Sequence, residues 1–566
     1  MALSEVALGG VTAIDAYAFY GCLDLNDIDL AKILSVGESA FVNCAIVEAD
    51  LGKVAQFGEN AFFGCSNLAE LKLNLSVSTL SSTVFYGCGI ETAYIHSGVA
   101  SALPRTLVEV HIEVGTALAD QAFWGCTALE KVYIKDTVKT FGTDVFKDCS
   151  SLAYVSANTA VIANLQEQKE CLKEIVITSG ITVPTEAFCE FEVLQTVRIT
   201  SAEIAAIETE AFKSCGALKT LEIVGNKNLV IADSAFKDCF ETVYTDAPAS
   251  ITLCADTIGD RAFSGCDELV SVNITYVKTI GTKAFYDCVA LKTISVSSDV
   301  ESIGDDAFVN TALEYNEYEN GCYLGNSGNK HLVLVKVNAQ SDTSFAVNAN
   351  TKLILDNAFD GATAITTLTV PNSVMFVGTD AFRDVTGVKT LTTNVFFLNG
   401  NFIALGNNVL EKLTVTSGGE VTRSFVGFTK LTELSLPTTA LSIIGDIRTV
   451  VTEVTVNGGL KIAANAFSNC TALTKVTVGG GVEEIGTTAF FNCTALMNIY
   501  LDSVKRIGNF AFAECAALET VTLPVGVESI GDGAFYNCVK LADVTGLPSA
   551  DKLGTDVFYN CIYNGN

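Results

Sequence analysis

The amino-acid sequence predicts a β-rich solenoid of about 24 stacked coils of roughly 23 residues, each contributing one short strand and one tight turn. Three observations predict it. The pentapeptide AFYGC at 18–22 returns as AFFGC at 61–65, AFWGC at 122–126, AFSGC at 262–266 and AFYNC at 534–538. The motif phenylalanine recurs in steps that are mostly 21 to 24 residues. Wider gaps, such as 146 to 188 and 382 to 425, are close to two steps, so each conceals one coil whose Phe motif has decayed. Finally, the spacing of apolar residues changes from three to two inside every coil.

Residues 481–501, GVEEIGTTAFFNCTALMNIYL, show one coil in full. In general form it is V-x-x-I-G-x-x-A-F-x-x-C-x-x-L-x-x-V-x-L. The V-x-x-I stretch predicts a short second strand. The glycine after it, as at Gly281, Gly304, Gly486, Gly508 and Gly531, is expected to permit a backbone turn into the Phe segment. From Phe490 through Cys493 and Leu496 to Ile499 the step is three, which suits helical or 3₁₀-like turns. The last step, Ile499 to Leu501, is two and marks the principal strand.

A single coil cannot hold itself together. Burying its Phe is worth roughly 2 kcal/mol, whereas ordering some 23 residues costs on the order of 1.5 kcal/mol each. Coils must therefore stack, so that equivalent residues lie above one another. This assigns Phe19, Cys22, Phe62, Cys65, Phe285, Cys288, Phe490, Cys493, Phe535 and Cys538 to the repeat core. Fifteen of the nineteen cysteines stand three residues after a motif Phe, a pattern that reads as small apolar core side chains. Stacking puts neighbouring Cys backbones about 4.8 Å apart, but parallel side chains would strain a disulfide. On this reading Cys493→Ser places an unpaired hydroxyl in an apolar stack, at about 1–3 kcal/mol.

Lys plus Arg number 34 against 64 Asp plus Glu, a net charge of −30, which argues against nucleic acid or an anionic membrane as partner. Hydrophobic residues make up 49% and charged ones 17%, so the chain has a well-supplied core and is not broadly disordered. Polar residues interrupt every apolar run short of the ~18–20 residues of a transmembrane helix. The opening residues MALSEVALGG have neither a basic region nor an apolar stretch of signal-peptide type. No nucleophile elbow, phosphate-binding loop or dinucleotide fingerprint occurs. His96, His111 and His331 have no partner at metal spacing, and C-x-x-C is absent. The acidic run CLDLNDIDL at 22–30 lacks the spacing of a calcium loop. Catalytic residues, metal and cofactor are all expected to be none.

The repeat resembles the BspA-like leucine-rich repeats of surface proteins from anaerobic bacteria and from protists, over nearly the whole chain. The segment 313–335, LEYNEYENGCYLGNSGNKHLVLV, is similar to the hairpin insertions that punctuate bacterial members. The resemblance implies a right-handed leucine-rich repeat solenoid with a parallel sheet on one face, a cell-surface or secreted location, and adhesion or host interaction without catalysis. With no signal in the first residues, the cytoplasm stays open as well. The expected organisation is a first repeat run at 1–312, a hairpin-like insertion at 313–350 and a second run at 351–566. Abrupt ends without caps offer a second reading, a structural protein that self-associates through its terminal coils.

The residue between the last two apolar positions of each strand faces solvent. Down the array this column begins Lys72, Tyr94, His111, Tyr133, Val176, Arg198 and Glu222, and from Thr369 to Thr545 it is mostly Thr and Ser. Threonine suits an exposed strand for reasons of fold alone. The rings of Tyr94, His111 and Tyr133 form the expected binding patch, roughly 10 Å long, for a protein or glycan ligand.

Overall fold

The L-x-x-V-x-L segments lie down as strands because their alternation puts every second side chain inside. Lys131–Ile134 (KVYI) buries Val132 and Ile134 while Lys131 and Tyr133 face outward. The computed structural model describes residues 3–242, 249–338, 341–406, 408–479 and 481–563. The chain divides into two units, Met1–Glu314 and Tyr315–Asn566, each wound as a solenoid of parallel strands.

In the first unit nine parallel strands form the principal sheet, from Glu48–Leu51 to Thr220–Ile223. A three-stranded parallel sheet contains Ala249–Cys254, Leu269–Tyr276 and Thr293–Ser295. The V-x-x-I segments pair separately as two-residue strands, six of them from Thr182–Val183 to Ser302–Ile303. In the second unit the principal sheet has ten parallel strands, from Ser344–Ala346 to Asp543–Thr545. The insertion is antiparallel: Asn316–Tyr318 pairs with Gly321–Leu324, which pairs with Val333–Val337. Residues 339 and 340 of the expected 313–350 insertion lie outside the described residues.

The principal sheets run unbroken through the Phe gaps at 146–188 and 382–425. Glu174–Ile177 fills the gap between Phe146 and Phe188, and Lys412–Val415 that between Phe382 and Phe425. Coils without the Phe motif carry short helices at Ser97–Ala102, Thr159–Asn164, Val395–Asn399 and Thr438–Ile443, and a further single turn, Ala550–Lys552, precedes the Phe558 motif. Coils with the motif turn differently from the helical expectation. They keep i to i+3 bonds such as Cys65 N–H to Phe62 O at 3.2 Å. A left-handed residue stands two before and two after the Phe, as with Asn60 (φ 56°) and Gly64 (φ 74°) around Phe62. That second position explains why Gly, Asn or Asp precedes so many of the cysteines, since these residues tolerate positive φ.

Phenylalanine rings stack from coil to coil, with Phe212 and Phe236 5.0 Å apart at 2° and Phe490 and Phe512 5.0 Å apart at 5°. Phe62, Cys65, Phe285, Cys288, Phe490, Cys493, Phe535 and Cys538 are fully buried. Phe19 and Cys22 are only half-buried, Phe19 stacking on the single motif ring of Phe41.

Two physical readings of the motif need correction. The recurrent glycine is not a left-handed turn: Gly486, Gly508 and Gly531 do not have positive φ. Its role is clearance, since a Cβ on Gly508 would stand 2.6 Å from the Thr487 amide nitrogen and 2.7 Å from the Gly486 carbonyl carbon in the preceding coil. The cysteine, in turn, is more than an apolar filler. Cys65 Sγ donates to the Phe41 carbonyl at 3.0 Å, Cys288 Sγ to Phe263 at 3.0 Å and Cys538 Sγ to Phe512 at 3.1 Å. Twelve thiols donate in this way to a motif Phe carbonyl of the preceding coil among the described residues.

Candidate functional site

Strands Thr92–His96, Glu109–Val114 and Lys131–Ile134 present the expected patch on the sheet of the first unit. Their register places Tyr94 beside His111 and His111 beside Tyr133. The three rings form one stack, with centroids 4.4 Å apart at 15° for Tyr94 and His111, and 4.3 Å apart at 4° for His111 and Tyr133. Tyr154 continues it, tilted at 41° and 5.0 Å from Tyr133. At the other end the Lys72 ammonium stands 5.8 Å from the Tyr94 centroid.

Polar groups of the neighbouring outward column hold the stack. Glu109 Oε1 pairs with His111 Nε2 at 2.7 Å, and its other oxygen lies 3.5 Å from Lys131 Nζ. Partial burial opposes the Glu109 charge, but the His111 hydrogen bond and the Lys131 charge outweigh it and hold the carboxyl below its usual range. Burial, followed by the nearby Glu109 charge, raises the Tyr133 phenol. Further along, Arg198 is bracketed by Glu174 and by Glu222, the latter at 2.9 Å. A groove of about 320 Å³ lies beside the stack, lined by Glu113, Lys135, Asp136, Ser156 and Thr178 as well as His111 and Tyr133.

This geometry decides what the rings can offer. Each is covered face-on by its neighbour, and the His111 side chain is only 18% exposed. Ring edges, the phenol tips and the adjoining groove are what remains accessible. Saccharides pack their C–H faces on open ring faces, so the stack suits a polypeptide surface better.

The sequence reading brings together the three residues it named but misses Glu109 and Tyr154. The signal was there: each stands in the outward column two residues before the one scanned, on the same face. It also omits Ser156, which lies in register between Tyr133 and Val176. The other two histidines serve locally, His96 Nδ1 accepting the Gly98 N–H at 2.9 Å and the His331 ring meeting Tyr323 edge-on at 5.3 Å. In the second unit Thr369, Thr392, Thr414, Ser435, Thr455 and Thr477 follow one another in register, as the sequence suggests. No helix among the described residues is long and apolar enough to cross a membrane.

A family model described as a BspA type leucine rich repeat region matches residues 2–109, 159–256, 206–328, 352–447 and 448–564. No match is found among curated proteins. Among solved structures the chain is similar to a leucine-rich repeat protein from Bacteroides ovatus, at 20% identity over 79% of this chain and 81% of that one, with a TM-score of 0.20. It is similar to a leucine rich cell surface protein from Faecalibacterium prausnitzii, at 21% identity over 73% and 88%, TM-score 0.22. It is also similar to the pneumococcal vaccine antigen PcpA, at 18% identity over 70% and 89%, TM-score 0.24.

Proposed function

The chain belongs to the BspA-type leucine-rich repeat family, and from that premise we propose that it is a non-enzymatic scaffold that binds a protein partner through the exposed sheet of its first unit. The proposed setting is the cell surface or the secreted fraction, and the proposed role is adhesion or recognition. One observation supports the reading above all: the column that is mostly Thr and Ser in the second unit becomes the stacked rings Tyr94, His111 and Tyr133 in the first. Threonine satisfies the fold at the same outward position in the second unit, so the fold does not require rings there. Aromatic rings framed by paired charges are typical of protein-contact surfaces.

The test is a binding assay with immobilised purified extracellular-matrix proteins, comparing the wild-type chain with Tyr94→Ser combined with Tyr133→Ser. Each ring is expected to contribute about 1–2 kcal/mol to the contact, while losing the two stacked pairs costs about 1–3 kcal/mol of stability, so a urea melt first establishes that the double variant is folded under the assay conditions. If the double variant binds with unchanged affinity and substitutions along Thr369 to Thr545 abolish binding, the contact lies on the other unit. A glycan that competes at the ring column would overturn the choice of a polypeptide.

A further inference from the structure

We propose that the groove around Tyr500, on the sheet face of the second unit, binds a neutral saccharide. Tyr500 interrupts the hydroxyl column, in register with Thr477 on one side and Thr522 on the other. Its environment is the opposite of the first unit's ring stack. The residue is 51% exposed, and among the described residues no aromatic ring or cation lies against it. A half-exposed aromatic side chain with no ring or cation against it is the element a sugar ring packs against, with its C–H groups on the negative face of the π system.

The polar groups around it have the matching chemistry. Asn498, Asp502, Thr520 and Thr522 line a groove of about 220 Å³ with Tyr500. An amide, a carboxylate and two hydroxyls supply donors and acceptors together, which is what adjacent sugar hydroxyls require. Among the described residues the Asn498 amide and the Asp502 carboxylate have no side-chain hydrogen-bond or ion-pair partner, so both are available. The groove is below the roughly 300–1,000 Å³ of sites for drug-sized ligands, and takes one sugar unit at a time. Threonines continue the column on both sides, with Thr455 before Thr477 and Thr545 after Thr522, the last two hydroxyls 3.3 Å apart. A longer chain laid along the column gains contacts that a monosaccharide does not. The net charge of −30 and the free Asp502 select against uronic or sulfated sugars. This site lies in the other unit from the polypeptide contact proposed above and does not depend on it.

The experiment titrates the full chain with neutral oligosaccharides of glucose, mannose, xylose and N-acetylglucosamine, one to six units long, by calorimetry and saturation-transfer NMR. At least one series is expected to bind, and more tightly as it lengthens. Tyr500→Ala should weaken that binding about tenfold or more, whereas Tyr500→Phe, which keeps the ring face, retains it to within about threefold. Asp502→Asn should give a smaller loss, and the Tyr94→Ser, Tyr133→Ser double variant none. Absence of millimolar binding by all four series overturns the proposal. Equal binding by wild type and Tyr500→Ala, or equal losses for Tyr500→Ala and Tyr500→Phe, also overturns it, as does preference for an acidic glycan.

Discussion

Replacement of Cys493 separates an apolar-filler role for the cysteine column from a hydrogen-bonding one. Cys493 is fully buried, and its Sγ donates to the Phe467 carbonyl at 3.2 Å. That same carbonyl accepts the Cys470 N–H at 3.1 Å, so losing the thiol does not orphan it. Cys493→Ala removes one sulfur from a closed site. The void, about 20 Å³ at about 24 cal/mol per Å³, costs roughly 0.5 kcal/mol. Lost transfer of the sulfur adds about 1 kcal/mol and the weak S–H bond about 0.5 kcal/mol, for a total near 2 kcal/mol. Cys493→Ser keeps a donor aimed at the same oxygen, so its hydroxyl is not unpaired, and the cost falls to about 1 kcal/mol. This reverses the ranking that a purely apolar stack implies. Urea unfolding of the full chain, with hydrogen exchange followed in the coils from 467 to 515, reads both the global and the local change. A serine variant less stable than the alanine variant would refute the hydrogen-bonding role.

Three further outcomes are expected. Gly508→Ala should destabilise by more than about 2 kcal/mol in urea, because the new Cβ meets backbone atoms of the preceding coil at 2.6–3.0 Å. Asn492→Ile should cost about 1–2 kcal/mol and Asn492→Gly little, since the residue sits at φ 58°; thermal melts of the two variants check it. Burial pushes the thiols of Cys44, Cys149 and Cys470 up to about 12 and that of Cys126 up to about 11. Their folded pKa values exceed the ordinary 9.0, so the stability they contribute is fully present below pH 9 and is lost as pH rises towards 12. Urea midpoints should fall between pH 8 and pH 11, and alkylation of these four cysteines at pH 8 should be slow until denaturant is added.

The repeat, the strand column and the identity of the buried positions are legible in the order of the amino acids. Each of these is encoded within one coil, by spacings of two and three around Phe490, Cys493 and Leu501, and stacking then multiplies it. Even the decayed coils at 146–188 and 382–425 were legible, because the period survives where the motif does not. What residues in adjacent coils do to one another emerges from the packing of the coils. The glycine after Ile485 looks like a turn residue until the preceding backbone is seen 2.7 Å from its missing Cβ. The cysteines look apolar until Cys493 is found aimed at the Phe467 oxygen, 26 residues back. Tyr94, His111 and Tyr133 share one column, yet their faces close on one another at 4.3–4.4 Å while Tyr500 stays 51% exposed between threonines. The reason is physical: these contacts join positions some 17 to 26 residues apart, and their geometry depends on side-chain rotamers and coil separation, which the spacing of residues along the chain does not specify.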